Sequence, residues 1–135
     1  MYNYSMISVS KKVEYGLAFV LYLSRKTGEI ISLRQAATQL DLPYRFLSQV
    51  ATELGKAGIV ESKEGKSGGY RLTDEWRERN IYDLLVALGE NKRLVRCLAY
   101  DGECGREDKC KIKGVWVRAE KAFIDELKNS KLGEI

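Results

Sequence analysis

Three glycines crowd into the six residues Glu64-Gly65-Lys66-Ser67-Gly68-Gly69. Ile59-Val60-Glu61-Ser62-Lys63 before them and Tyr70-Arg71-Leu72-Thr73 after them have the composition of strands. Glycine reaches positive φ without steric cost, so the segment reads as a tight reversal between two antiparallel strands. Two short helical patterns come immediately before it. A helix pair followed at once by a Gly/Lys hairpin is the order of a winged helix-turn-helix, which makes the expected fold mainly α, with a β-hairpin wing.

The helices follow from apolar spacing. Residues 10–25 carry Val13, Leu17, Val20 and Leu21 at helical intervals, and Gly28 ends the pattern. A second helix opens at Ser32, where Ser32-Leu33-Arg34-Gln35 has the order of a capping box, and Leu33, Ala36, Ala37 and Leu40 mark its inner face. Pro43 suits the first turn of a third helix, with Leu47, Val50 and Leu54 as its buried stripe and Gly58 as its stop. Residues 80–89 form another helix, through Ile81, Leu84, Leu85 and Leu88.

A long last helix spans residues 112–130. Ile112, Trp116, Ala119, Phe123 and Leu127 form its stripe, broadened by Val115 and Ala122. So wide and aromatic a stripe on a terminal helix points to packing against a second copy of the chain. The chain therefore divides into a DNA-binding winged helix-turn-helix domain (1–89), a cysteine-containing loop (90–111), and a dimerisation helix with a tail (112–135).

Outward positions of the third helix are Tyr44, Arg45, Ser48 and Gln49, with Phe46 beside them. Arginine bonds guanine bidentately and glutamine bonds adenine, so Arg45 and Gln49 are the candidates for base contact in a major groove, and Ser48 serves a base or a phosphate. In the wing, Lys63 and Lys66 reach toward backbone or minor groove, and the exposed N–H groups of Gly65 to Gly69, Ser67 and Gly68 among them, suit phosphate oxygens. The charge distribution agrees. Residues 1–73 hold 10 Lys/Arg against 6 Asp/Glu, whereas residues 74–135 hold 13 of each.

Histidine is absent from the 135 residues, which excludes every histidine-based triad and metal site. With no nucleotide-binding glycine motif before a helix and no nucleophile–base constellation, an enzyme is not expected. No apolar run approaches the length of a membrane span and no signal peptide opens the chain, so the expected location is cytoplasmic, without membrane or small-molecule substrate. The three cysteines, Cys97, Cys104 and Cys110, all fall in the loop, separated by six and five residues. An odd number argues against a disulfide framework. Seven Lys/Arg against four Asp/Glu between Asn91 and Lys113 offset thiolate charge. Three thiolates on a glycine-containing loop suit an iron–sulfur cluster, or zinc with a fourth ligand.

From Ile7 to about Glu134 the sequence resembles the IscR/NsrR-type winged-helix regulators. The resemblance rests on the opening helix, the Gly58-Ile59-Val60 exit from the third helix, the Gly68-Gly69-Tyr70 wing, the Cys-x6-Cys-x5-Cys loop and the helix beginning just after Cys110. It implies a homodimer on a roughly palindromic double-stranded operator, with one [2Fe–2S] or [4Fe–4S] cluster per subunit on Cys97, Cys104 and Cys110. The IscR branch adds a histidine three residues after the last cysteine, where this chain has Lys113, and an ammonium cannot ligate iron. The NsrR branch instead takes an acidic residue from the first helix of the partner subunit. The matching residue here is Glu14, the expected fourth ligand; the plainer alternative is that Glu14 pairs with Lys11 or Lys12. The expected function is a transcriptional regulator whose operator affinity depends on the cluster as a sensor of redox state, nitric oxide or iron–sulfur status. The alternative is a cluster-free regulator that senses oxidants by thiol oxidation.

Overall fold

In a computed structural model of the chain, the described residues are 10–26, 28–89 and 111–135. They form α1 (Lys11–Ser24), α2 (Leu33–Leu40), α3 (Tyr44–Lys56), β1 (Val60–Lys63), β2 (Gly69–Leu72), α4 (Ile81–Ala87) and α5 (Lys113–Asn129), with single 3-10 turns at Trp76–Glu78 and Leu132–Glu134. The architecture is a mainly helical winged helix-turn-helix with a C-terminal helix, as the hairpin and helix order predict. Among the described residues no helix is long and apolar enough to cross a membrane.

Local chemistry sets the helix boundaries. The Ser10 hydroxyl accepts from the Val13 amide at 3.3 Å and opens α1. Ser32 does the same for α2, accepting from the Gln35 amide at 3.1 Å. The end of α2 is closed by Asp41 at φ 53°, a conformation that Asp tolerates better than most side chains, and by the Leu42 amide donating to the Ala37 carbonyl at 2.9 Å. This left-handed residue makes the tight turn of the helix pair. Pro43 stands just outside α3, as its N-cap, rather than in the first turn, and provides no side-chain cap. At α4 a complete capping box joins Asn80 and Asp83, with bonds of 2.8 and 3.1 Å between each side chain and the other's amide.

The core lies where α1, α3 and α4 meet. Phe19 and Val20 of α1, Leu47, Val50 and Leu54 of α3, Ile59, and Leu84 and Leu88 around α4 are essentially inaccessible to water. On α1 the buried line is Val13, Gly16, Phe19, Val20 and Leu23, so Leu17 and Leu21 flank the core instead of filling it. Gly16 explains the closeness of α1 to α4, because a Cβ there would stand 2.8 Å from the Leu88 Cδ1.

The wing pairs Val60 with Leu72, Glu61 with Arg71, Ser62 with Tyr70 and Lys63 with Gly69. Ile31, just before α2, adds a third edge by exchanging two backbone hydrogen bonds with Tyr70 at 2.9 and 2.8 Å. A Cβ on Gly69 would collide with the Ile31 carbonyl, so that pairing requires glycine. A one-residue strand carries no periodicity in sequence, so the sequence pattern marks only the wing's own two strands.

After α5 the chain returns to the winged domain. The Ile81 amide donates to Ser130 (2.9 Å) and the Leu132 amide to Arg79 (2.8 Å). Lys131 pairs with Glu78 at 3.0 Å, a hydrogen-bonded contact that raises the lysine pKa above its ordinary value. Leu132 is 2% exposed within the core cluster. We expect Leu132→Ala to lower the unfolding free energy by about 2–5 kcal/mol in urea titrations. A loss under about 1 kcal/mol would mean that the tail is not part of the cooperative core.

Candidate nucleic-acid interface and cysteine loop

The apolar face of α3 is consumed by the core, and this dictates what its other face presents. With Leu47, Val50, Ala51 and Leu54 buried, Tyr44, Arg45 and Gln49 stand exposed and Ser48 half-buried. Phe46 departs from the expected outward set. Its ring is half-buried and meets Tyr15 of α1 edge-on, with centroids 5.1 Å apart. Tyr44 is 43% exposed.

Lys63, Lys66 and Ser67 are exposed along the end of β1 and the wing tip, while Gly68 is half-buried. The Gly68 amide donates to the Gly65 carbonyl at 3.0 Å, so it closes the turn and is not a free donor to phosphate. A side chain at Gly68 would strike the Lys63 carbonyl, so the sharp tip depends on glycine here. Arg71 pairs with Glu61 across the strands, which neutralises the wing below its tip.

Sequence reasoning missed Arg34. It lies exposed in the first turn of α2, with its guanidinium carbon 4.9 Å from the centre of the Tyr44 ring. Its only sequence signal was a cation near a helix start two positions after the Ser32 cap.

Glu14 sits in the first turn of α1, half-exposed, and pairs with Lys11 at 3.3 Å. The neighbouring Lys12 spans to Glu53 of α3 at 3.0 Å, with both side chains about three-quarters covered. The second Glu53 carboxylate oxygen, Oε2, is buried without a hydrogen-bond partner. Cys97, Cys104 and Cys110 lie outside the described residues. Lys113, where the IscR-type histidine would stand, is the first residue of α5. Ile112, which caps α5, and Val115 are 50% and 46% exposed; further along the helix Ala119 and Ala122 are exposed, and Trp116, Phe123 and Leu127 half-buried. The protomer thus leaves much of that stripe uncovered.

Residues 9–135 match the Rrf2 family, described as an iron-dependent transcriptional regulator. The chain is 30% identical over 131 residues to the HTH-type transcriptional regulator NsrR of Halalkalibacterium halodurans, spanning 96% of this chain and 90% of that one. Among solved structures, CymR, the global cysteine regulator of B. subtilis, matches with a TM-score of 0.72 at 28% identity over 93% of each chain. T. potens IscR matches with a TM-score of 0.68 at 28% identity, over 93% of this chain and 83% of that one. The protein is therefore not an enzyme: it belongs to the Rrf2 family of DNA-binding transcriptional regulators.

Proposed function

We propose that this chain acts as a homodimer on double-stranded operator DNA, and that an iron–sulfur cluster in each subunit sets its affinity. The observation that carries the cluster reading is the donor set. Three cysteines fall within residues 97–110 of a chain without histidine, while the Glu14 carboxylate is half-exposed at the start of α1. Thiolates hold iron–sulfur clusters, and a carboxylate can complete a site that three thiolates leave open. Cys97, Cys104 and Cys110 of one subunit with Glu14 of the other would hold the group. The NsrR likeness supports this arrangement, and Lys113 leaves no place for a histidine ligand. The loop 90–111 is the cluster segment of this reading, and the apolar stripe of α5 within 112–135 is the dimerisation surface.

When bound, the cluster supplies a centre reactive toward oxidants and nitric oxide. The protein's part is to make α1 and α3 move together. As a ligand Glu14 would give up its ion pair with Lys11, which would change the charge balance of the first turn of α1. That turn is tied to α3 twice, by the Lys12–Glu53 ion pair and by the Tyr15–Phe46 ring contact. A change at Glu14 is thereby felt at the DNA-reading helix, and in a dimer it alters the spacing of two heads on two half-sites.

Arg45 and Gln49 read base edges, Tyr44 and Ser48 flank them, and Lys63, Lys66 and Ser67 of the wing engage the backbone, with the Gly68 turn holding the tip in shape. The likeness to CymR is as strong as that to IscR, so a second reading keeps this DNA face and replaces the cluster by oxidation of the same cysteines.

Two measurements test these readings. Protein purified without oxygen is expected to show a sulfide-to-iron charge-transfer band with stoichiometric iron and acid-labile sulfide, and Glu14→Ala should shift that band. Colourless, iron-free protein even after reconstitution would leave thiol oxidation. For the DNA face, Arg45→Ala and Gln49→Ala should each flatten the preference at one operator position, by about 1–3 kcal/mol of discrimination. Unchanged sequence preference in both variants would remove α3 as the reading helix.

A further inference from the structure

We propose that Arg34 is a phosphate-anchoring residue of the DNA interface, held ready by the Tyr44 ring. The observation is a stacked pair bridging the two helices of the helix-turn-helix, with the Arg34 guanidinium carbon 4.9 Å from the Tyr44 centroid. Arg34 belongs to the first turn of α2, and Tyr44 is the first residue of α3. Both are exposed, and Tyr44 directly precedes Arg45 in the first turn of α3.

The electrostatic setting separates Arg34 from five cations that are held by carboxylates. Lys11, Lys12, Arg71, Arg79 and Lys131 each pair with a carboxylate. Arg34 pairs with none among the described residues, and its side-chain contact there is the Tyr44 ring. A guanidinium stacked on an aromatic face keeps its edge N–H groups free, and that planar fork fits two oxygens of one phosphate. The positive end of α2 adds to the attraction for an anion there. An uncompensated cation, ordered before DNA arrives, lowers the ordering cost of the contact. In the helix-turn-helix arrangement the helix before the reading helix crosses the backbone, so a phosphate rather than a base edge is the group Arg34 meets.

The inference rests on α3 as the DNA-reading helix, and the test separates the two. The probes are a labelled mixed-sequence duplex of about three helical turns and the tightest duplex that the wild-type protein selects from a random library. Fluorescence anisotropy over a salt series gives affinity and the slope of log K against log salt. Arg34→Ala is expected to weaken both duplexes by the same factor, about threefold to tenfold near 0.1 M salt, and to reduce the slope by about 0.9, the value for one phosphate. Tyr44→Leu should weaken binding in the wild-type background and less so when Arg34 is already alanine. An unchanged slope, or a loss confined to the selected duplex, would overturn the proposal. So would additive effects of the two substitutions. Thermal unfolding of each variant checks that the fold persists. Loss of sequence preference in Arg45→Ala reports on α3 alone, so the failure of either idea is seen independently.

Discussion

Burial of one face of α3 against α1 and α4 is the constraint on which the rest of the molecule depends. Leu47, Val50 and Leu54 enter the core beside Phe19, Val20, Leu84 and Leu88, all at or below 1% exposure. Each such side chain contributes about 1.5–3 kcal/mol when removed from water. Because the helix repeats every 3.6 residues, fixing that face also fixes where Tyr44, Arg45 and Gln49 point. The stability of the domain and the presentation of its polar helix face are one arrangement, and a rotation of α3 would change both.

The same core supports the wing from below. Ile59 and Val60 leave α3 directly into β1, and Thr73 at the far end of the hairpin returns a hydroxyl hydrogen bond of 2.7 Å to the Gly58 carbonyl. Arg79 donates to the Ala57 carbonyl at 2.7 Å and contacts Asp83 at 3.3 Å, so the end of α3 is joined to the start of α4. The tail then lays Leu132 against this junction. The end of α3, the hairpin, the start of α4 and the tail after α5 are therefore joined by short polar contacts around the buried core. Such connectivity is what a regulator needs if events near α1 or α5 are to be felt at DNA.

Much of the fold was legible because it is written in periodicity and turn chemistry. The stripe Leu47-Val50-Leu54, the Ser32 cap and the glycine-rich reversal are local signals, and each lies where the spacing predicts. What escaped depends on tertiary contact. Ile31 pairs with Tyr70 through backbone atoms alone, and Leu132 reads as one more apolar residue in a polar tail. The α1 face is displaced because Gly16 fits the close approach of α4 and Phe19 packs edge-on against Tyr70 of the wing, while Leu17 and Leu21 are only partly buried. At the interface, exposed positions on α3 followed from the helix period, yet Phe46 turned inward to Tyr15 and Arg34 was overlooked, since both depend on a partner from another helix. Glu14 lies at the start of α1 and pairs with Lys11, the simpler of the two expected arrangements in this protomer.

The central claim is that DNA affinity follows the state of the cysteine loop. The most direct test compares operator affinity of protein purified without oxygen before and after a controlled dose of nitric oxide, beside a variant with Cys97, Cys104 and Cys110 all changed to serine. The account predicts that the treated and untreated forms differ by at least about tenfold, or about 1.4 kcal/mol, and that the variant is indifferent to treatment. Equal affinities before and after treatment, in protein shown to carry iron and sulfide, would contradict it.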